Sequence, residues 1–287
     1  MARIAIIGGG GMGEALLAGL LRAGRQVKDL VVAERLADRA DYLSNKYSVR
    51  MASVGAAVEN ADFVIVAVKP SDAESVVAVI AELAAQADSD TVEQVLISVC
   101  AGITTAFYEA RLPAGSPVIR VMPNAPALVG AGVSALAKGR FATDEHLAQA
   151  STLFESVGAV VTVPESQLDA VTAVSGSGPA YFYLFVEALV DAAVANGLQR
   201  AIATDLVAQT MAGSAAMLLE RIDDERTAGT DTGLDTTPAR LRAMVTSPAG
   251  TTAAGLRELE RGAVRAAVTA AVDAAKTRSE QLGITSE

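Results

Sequence analysis

A glycine-rich segment near the N-terminus constrains the fold of this chain more than any other feature. It follows the apolar run Ala2–Ile7 and places Gly8, Gly10 and Gly13 in a G-x-G-x-x-G pattern. In such a pattern the first glycine permits a tight turn, the second lets the backbone approach a pyrophosphate, and the third lets the next helix pack closely on the strand. The segment therefore predicts a dinucleotide-binding βαβ unit, because the helix N-terminus offers N–H donors to phosphates. The alternative is a glycine-rich turn that binds no ligand.

The first half of the chain alternates short apolar runs with longer, alanine-rich and charged segments. Near-continuous apolar runs are typical of strands buried on both faces of a parallel sheet. We predict strands over Ala2–Ile7, Leu30–Ala33, Phe63–Val68, Val95–Cys100 and Val118–Met122, and further strands over Gly132–Ala137 and Ala159–Val163. We predict helices between them over Gly13–Ala23, Ala37–Lys46, Ser71–Ala87, Thr104–Arg111 and Asp144–Val157. This alternation predicts an α/β fold: a Rossmann-like, doubly wound parallel sheet with right-handed crossovers.

The character of the sequence changes after Pro164, where strand-like runs end. Long Ala- and Leu-rich segments predict helices over Glu165–Asn196, Arg200–Arg221 and Thr252–Leu282, and the polar segment Asp223–Thr237 is predicted to be a loop. We therefore expect a dinucleotide-binding domain over residues 1–164 and an all-helical domain over residues 165–287. Gly176, Gly178 and Pro179 would interrupt a helix, which suggests a close approach of the backbone to a ligand or partner.

Composition excludes several functions. A net charge of −10 and a pI near 4.7 argue against nucleic acid or an anionic membrane as the main partner. The longest uncharged stretch, Ala170–Val186, is short for a bilayer span, so we predict no transmembrane helix. One cysteine, Cys100, and one histidine, His146, exclude a disulfide framework and a thiolate or histidine-rich metal site. We expect no bound metal, a cytoplasmic location, an apolar packing role for Cys100 and a structural role for His146 at a helix start.

Two neighbouring charges end the second predicted strand and have opposite implications for the cofactor. An acidic residue about 20 residues beyond the glycines accepts hydrogen bonds from the ribose of NAD, and Glu34 lies at that position. A basic residue there instead receives the 2′-phosphate of NADP, and Arg35 is adjacent. These two residues leave the choice of cofactor open, and both could also be solvated surface charges.

Further motifs follow in a distinctive order. They are V-A-V-K-P over residues 66–70, S-V-C-A-G-I over 98–103, R-V-M-P-N-A-P over 120–126, S-G-S-G-P-A-Y over 175–181 and V-T-S-P-A-G-T-T over 245–252. In order and spacing the set resembles the pyrroline-5-carboxylate reductase family over essentially the whole chain, and the last two blocks are specific to it. The resemblance implies an enzyme that reduces the C=N bond of 1-pyrroline-5-carboxylate to L-proline, the last step of proline biosynthesis. It also implies NADPH as cofactor, with NADH possible, and a helical domain that forms a homodimer, which assembles further into a decamer.

The resemblance and the glycine pattern together give the candidate site residues. The candidate cofactor-binding residues are Ile7, Gly8, Gly9, Gly10, Gly11, Met12, Gly13, Glu34, Arg35, Ala67, Val68, Lys69, Pro70, Ala101, Gly102 and Asn124. The candidate substrate-binding residues are Ser175, Thr246, Ser247, Gly250, Thr251 and Thr252, and Thr252 is the candidate catalytic residue, which the resemblance places against the ring nitrogen. The chain departs from the family pattern at Val54, where many members carry Asn, at Ala249, where glycine is usual, and at Arg242–Met244, where a Lys-Asp run is usual. An acidic residue of the family maps near Asp235.

The block Ser247–Thr252 precedes the amphipathic run Ala253–Leu259, so we expect it to begin a helix. Backbone N–H groups and hydroxyls at a helix start can hold a carboxylate without a formal positive charge, so a cationic iminium is tolerated beside it. The alternative is ordinary helix capping by Ser247 or Thr251. The chain has no obvious strong acid for the ring nitrogen. An imine is protonated far more easily than a ketone, so the reaction does not require a histidine acid.

Two other functions are compatible with the glycine pattern. A β-hydroxyacid dehydrogenase also pairs a Rossmann domain with a helical domain, but it would carry a lysine one helical turn beyond its S-G-x-G-like block, and Ala180–Val186 contains none. A non-enzymatic NADPH-binding sensor would keep the glycine pattern but would not need the Thr246–Thr252 block, which is present.

Overall fold

The structure, a computed structural model, describes residues 2–86, 93–228 and 236–284. By its internal contacts the chain forms two compact units: one comprises Met1–Pro179 with Val272–Glu287, and the other comprises Ala180–Ala271. The domain boundary at residue 164 stays a prediction.

An eight-stranded sheet forms the framework of the first unit, in the order β3-β2-β1-β4-β5-β6-β7-β8. The strands are β1 (Ile4–Ile7), β2 (Leu30–Ala33), β3 (Arg50–Met51), β4 (Phe63–Val66), β5 (Val95–Ser98), β6 (Val118–Met122), β7 (Gly132–Lys138) and β8 (Gly158–Thr162). Neighbouring strands are parallel except β6 and β7, which are antiparallel. The doubly wound sheet is confirmed, and the one departure from a parallel arrangement has a simple cause. Only the short 3₁₀ turn Ala125–Val129 lies between β6 and β7, and a parallel neighbour requires a crossover of a dozen or more residues.

Within the described residues, six helices belong to the α/β part and six to the helical part of the chain. The former are α1 (Gly11–Arg22), α2 (Ala37–Tyr47), α3 (Val54–Val58), α4 (Ala73–Gln86), α5 (Thr105–Glu109) and α6 (Asp144–Phe154). The latter are α7 (Leu168–Val171), α8 (Gly178–Ala195), α9 (Arg200–Thr227), α10 (Thr237–Met244), α11 (Thr251–Arg261) and α12 (Val264–Ile284). The start of α6 is fixed by a capping box in which the His146 ring accepts from the Thr143 N–H, a structural role as expected.

Several predicted boundaries in the helical part were wrong. The predicted helix Thr252–Leu282 is two helices, because the chain turns at Gly262 and Ala263, where Ala263 has a φ of +54°. The predicted loop Asp223–Thr237 begins too early, since α9 continues to Thr227, and the helix α10 was not predicted. The rest of that loop, including Asp235, lies outside the described residues.

Both faces of the central strands are buried, as their continuous apolar runs predict, whereas the edge strands β3 and β8 are partly exposed. Ile4 and Ile6 of β1 pack on one side with α1 and α6, whereas Ala5 and Ile7 pack on the other side with α4 and α5. Burial of each large aliphatic side chain contributes about 1.5–3 kcal/mol, so the strands form a rigid platform for the loops at their carboxyl ends.

A buried arginine ties the segment after β8 to this platform. Arg120 of β6 is 6% exposed, and its guanidinium lies 3.4 Å from Glu165 and 3.8 Å from Asp169. Glu165 also accepts hydrogen bonds from the N–H and the hydroxyl of Thr105, at 2.7 and 2.6 Å, and the Ser279 hydroxyl donates to Asp169 at 2.6 Å. The network fixes the start of the helical segment relative to β6 and α5.

The predicted helix Glu165–Asn196 is interrupted by a π-helical turn over Thr172–Gly176. The Ser177 N–H donates to the Thr172 carbonyl at 2.8 Å, and a Cβ at position 176 would lie 2.6 Å from the terminal methyl of Met122. The close approach expected at Gly176 is therefore made to a side chain of this same chain.

Two described helical segments, Glu165–Ala195 and Arg200–Thr227, are long and apolar enough to cross a bilayer by length and composition alone. Their side chains are mostly exposed within the single chain, and the same properties arise where helices are covered by another subunit.

Candidate functional site

The predicted cofactor residues gather at one edge of the sheet. The strand order reverses between β1 and β4, and in open α/β sheets ligands bind beyond the carboxyl ends of the strands at such a point. A cavity of about 590 Å³ lies there, beyond β1, β2 and β4. Eight of the predicted cofactor residues line it, namely Ile7, Gly8, Gly10, Glu34, Arg35, Ala67, Val68 and Lys69. It is also lined by residues that the sequence did not indicate, namely Ala33, Leu36, Ala52, Ser53, Val54, Asp72, Ser75, Val76 and Val79.

The glycine loop has the geometry that the G-x-G-x-x-G pattern predicts. Gly8 has a φ of +106°, and a Cβ there would lie 2.5 Å from the Ala67 carbonyl oxygen. A Cβ at Gly13 would lie 1.9 Å from the Gly8 carbonyl oxygen, so the helix can approach the strand only with glycine at this position. Gly10, by contrast, faces open space and caps α1 without a side-chain hydrogen bond. The first N–H groups of α1 therefore remain available to a phosphate, and the site fits a dinucleotide.

Glu34 braces the glycine loop. Its Oε2 accepts a hydrogen bond from the Gly9 N–H at 2.8 Å, and its Oε1 accepts one from the Leu36 N–H at 2.9 Å. Arg39 of α2 binds the next peptide group of the loop, because its Nε donates to the Gly9 carbonyl at 2.7 Å. Sequence reasoning missed Arg39, since no local pattern connects it to a residue 30 positions away.

Arg35 lies on the exposed rim of the cavity, opposite a carboxylate. Its side chain is 74% exposed, and its Nη2 lies 3.5 Å from Oδ2 of Asp72, which is 30% exposed. Asp72 ends the 3₁₀ turn Pro70–Asp72 that follows β4 and Lys69. The rim therefore presents an exposed guanidinium that is partly neutralised by one carboxylate.

The remaining predicted cofactor residues do not line the cavity. Gly9 is a buried residue of the glycine loop. The first turn of α1 contains Gly11, Met12 and Gly13, and the 3₁₀ turn begins at Pro70. Ala101 and Gly102 follow β5, and Asn124 follows β6, where its Oδ1 accepts from the Val133 N–H at 3.0 Å.

Cys100, two residues after β5, is buried, and burial raises the pKa of its thiol. It packs as a small apolar residue, as expected, and a thiol with a raised pKa is a poor nucleophile at neutral pH.

The predicted substrate block lies in the second unit and forms a turn that leads into α11. The Gly250 N–H donates to the Ser247 carbonyl at 3.0 Å, and the Thr246 hydroxyl donates to the Arg242 carbonyl at 2.6 Å. Gly250 is the N-cap of α11, so neither Ser247 nor Thr251 holds the N-cap position. The first-turn N–H groups of α11, at residues 251–253, have no intrahelical acceptor, and the side chains of Thr251 and Thr252 are exposed.

Ala249 occupies the position in this turn where the family usually carries glycine. Its φ is +57°, in the left-handed region that an L-residue with a Cβ adopts only at a cost. Pro248 and Ala249 are the central residues of a β-turn closed by the Gly250–Ser247 hydrogen bond, and a positive φ at the second central position favours glycine. Ser175, the remaining predicted substrate residue, lies half-buried in the π-helical turn of the first unit.

A second cavity, of about 770 Å³, lies against α1 and α2 and contains none of the predicted site residues. Glu14, Lys46 and the two tyrosines of its lining form one hydrogen-bonded cluster. Glu14 accepts hydrogen bonds from Lys46 at 2.9 Å, from Tyr47 at 2.8 Å, from Tyr42 at 3.1 Å and from Arg39. Partial burial opposes the charged form of Glu14, but these four donors outweigh it and lower the pKa of this carboxyl to about 2. The cluster anchors α2 to α1 and thereby supports Arg39 behind the glycine loop.

The chain is similar to known proteins along its whole length. Residues 3–102 match the family described as NADP oxidoreductase coenzyme F420-dependent, and residues 165–282 match the family described as pyrroline-5-carboxylate reductase dimerisation. It is 68% identical to the pyrroline-5-carboxylate reductase of Mycobacterium tuberculosis, over 100% of this chain and 99% of the relative, and 65% identical to that of Mycobacterium leprae over the same shares.

Solved structures of the same kind of enzyme have the same fold. The pyrroline-5-carboxylate reductase of Coxiella burnetii superposes with a TM-score of 0.86 at 33% identity, and the NADP-bound enzyme of Plasmodium falciparum with a TM-score of 0.82 at 30% identity. In both cases 98% of each chain is covered. With full-length relatives at this identity, the chain belongs to the pyrroline-5-carboxylate reductase family.

Proposed function

We propose that this chain performs the reaction of its family, the reduction of the C=N bond of 1-pyrroline-5-carboxylate to give L-proline, with the residues described above. The observation that carries the proposal is the cavity at the strand-order reversal, whose open glycine loop and uncapped helix start fit a dinucleotide in a chain of this family. NADPH, when bound, supplies the hydride that reduces the imine carbon. The chain's own residues bind the cofactor and the substrate, orient the ring and relay a proton to its nitrogen.

The cofactor residues divide into three groups by position. The glycine loop and the first turn of α1 bind the pyrophosphate with backbone N–H groups. Arg35 binds the 2′-phosphate on the exposed rim, which favours NADPH, although NADH is also accepted. The remaining contacts come from the loops that follow neighbouring strands, through Ala67, Val68, Lys69, Pro70, Ala101, Gly102 and Asn124.

The start of α11 binds the substrate carboxylate. Its first N–H groups have no intrahelical acceptor, the helix dipole favours an anion at this end, and the exposed hydroxyls of Thr251 and Thr252 add donors. Such a site carries no formal positive charge, so it does not repel the cationic iminium of the same small ring. Thr246, Ser247, Gly250 and Ser175 complete the proposed substrate residues.

Thr252 is the proposed catalytic residue. Its hydroxyl hydrogen-bonds the ring nitrogen and relays a proton from water to it. The main catalytic contribution is positioning, because a fixed imine reacts as in a unimolecular step.

The helical part forms a homodimer, which the match of residues 165–282 to a dimerisation family supports. Its exposed apolar side chains include Phe182, at 63%, and Leu184, at 67%, and obligate interfaces are large and apolar enough to cover such surfaces. We further propose that dimers assemble into a decamer in the cytoplasm. A monomeric mass by light scattering, with full activity retained, would contradict both levels of assembly.

The decisive experiment follows NADPH oxidation by the purified protein. The absorbance of NADPH should fall only when 1-pyrroline-5-carboxylate is added, and one proline should form for each NADPH oxidised. A 3-hydroxyacid-type carbonyl substrate is the control. Oxidation with that substrate but not with the imine would refute the proposed function.

A further inference from the structure

We propose that Asp72 is a specificity-determining residue for the cofactor. Its carboxylate competes with the adenosine 2′-phosphate for Arg35 and thereby reduces the preference of the chain for NADPH over NADH. The inference rests on the cofactor site proposed above and concerns only residues of the first unit.

Asp72 is held against Arg35 by its own backbone. Its N–H donates to the Lys69 carbonyl at 2.9 Å within the 3₁₀ turn, and its carbonyl accepts from the Ser75 hydroxyl at 2.9 Å. The turn leads directly into α4, so the carboxylate cannot move far from the rim. It lies 3.5 Å from the Arg35 guanidinium, while the Arg35 side chain remains 74% exposed and free to reorient.

Glu34 and Asp72, the two carboxylates that line the cavity, differ in whether their charge is free to oppose an incoming phosphate. Each oxygen of Glu34 already accepts a backbone N–H, at 2.8 and 2.9 Å, so its charge is committed to the glycine loop. Among the described residues, Asp72 has only Arg35 as an ion-pair partner. An incoming 2′-phosphate, with a charge of about −1.5 to −2, therefore meets an arginine that is already paired, together with a second anion beside it.

NADH carries a hydroxyl where NADPH carries the phosphate. A hydroxyl does not need Arg35 and can donate a hydrogen bond to a carboxylate. The same Asp72 that opposes the phosphate is therefore neutral or favourable to NADH. Loss of its charge should shift the ratio of the two affinities rather than both affinities together.

The expected change is modest because the pair is partly exposed. Exposed ion pairs contribute little, and the loss of one changes an equilibrium constant by about two- to fivefold. We expect Asp72→Asn to lower the dissociation constant of NADPH by about this factor and to leave that of NADH unchanged or slightly raised.

The test measures binding of each cofactor to the purified protein without substrate, by calorimetry at low ionic strength. Glu74→Gln is the matched control, because Glu74 forms an ion pair of the same length, 3.5 Å, with Arg111 and does not line the cavity. Asp72→Asn is also measured in an Arg35→Ala background, where the gain for NADPH should fall below twofold.

Equal changes for NADPH and NADH would overturn the inference, and so would weaker NADPH binding in Asp72→Asn, which would mean that Asp72 orients Arg35 for the phosphate. If Arg35→Ala alone weakens NADPH selectively and Asp72→Asn changes nothing, the inference fails while the cofactor site stands. If Arg35→Ala has no selective effect, the assignment of Arg35 to the phosphate fails as well.

Discussion

Replacement of Glu34 by glutamine distinguishes the two roles that this residue can have. In many dinucleotide-binding folds the acid at this position accepts hydrogen bonds from the ribose. In this chain both oxygens already accept backbone N–H groups of Gly9 and Leu36. Glu34→Gln keeps the size of the side chain and one acceptor, but it places an NH₂ group against one of the two backbone donors.

The magnitude follows from those two hydrogen bonds. A hydrogen bond to a charged group contributes about 1.5–3 kcal/mol, and the substitution removes one such bond and the charge behind the other. Because Glu34 is half-buried, we expect a loss of about 2 kcal/mol in the free energy of unfolding. In the proposed cofactor site the loop binds the pyrophosphate, which NADPH and NADH share, so we expect both dissociation constants to rise by the same factor, up to about tenfold.

The assay combines urea unfolding with binding of the two cofactors to the same variant. Glu82→Gln is the control, because Glu82 is an exposed carboxylate of α4. If Glu34→Gln weakens NADH far more than NADPH and leaves the unfolding midpoint unchanged, Glu34 is a ribose acceptor and the bracing role is refuted.

Four further substitutions test the other sites. Thr252→Ala should lower kcat/KM for 1-pyrroline-5-carboxylate by about 10- to 150-fold, the value of one hydrogen bond to a developing charge, with no change in NADPH affinity; a near-wild-type kcat/KM would leave Thr252 with no catalytic role. Ala249→Gly should raise the free energy of unfolding by up to about 1 kcal/mol, because it relieves a φ of +57°, and Ala263→Gly should do the same at a φ of +54°. Both changes are measured by urea unfolding at fixed protein concentration, and a decrease would show that the methyl group packs favourably. Glu14→Gln should destabilise the fold at neutral pH. The loss should shrink as the pH falls from about 4.5 to about 2, because the lowered pKa of Glu14 means that its charge stabilises the fold fully above this window and not at all below it. A pH-independent difference in urea midpoint would contradict this.

Except for the two-residue edge strand β3, the strands were predictable, because they are apolar runs in the sequence and the central ones are buried on both faces. Their ends were less predictable. The strand predicted over Phe63–Val68 ends at Val66 in the structure. Ala67 and Val68 line the cavity instead, and the sequence could not show this because they are as apolar as the strand residues. The break between α11 and α12 was also hidden, because alanine favours helices and Ala263 turns the chain only through its left-handed backbone.

The glycine loop was predictable because a local motif encodes it. Arg39 and Asp72 were not, because each acts on a residue that is distant in the sequence: Arg39 on Gly9, and Asp72 on Arg35. A sequence pattern reports spacing along the chain, whereas these contacts depend on which loops meet at the carboxyl edge of the sheet.

The neighbouring charges Glu34 and Arg35 show how the structure separates two roles that the sequence left open. Both residues follow β2, and the structure shows that they make different contacts. Glu34 accepts hydrogen bonds from the backbone N–H groups of Gly9 and Leu36, whereas Arg35 lies on the exposed rim beside Asp72. From the proposed cofactor assignment we expect the preference between NADPH and NADH to depend on Arg35 and on the group that neutralises it. In this chain that group is Asp72, so we expect the V-K-P-S-D segment after β4 to influence the preference as much as the residues that follow β2.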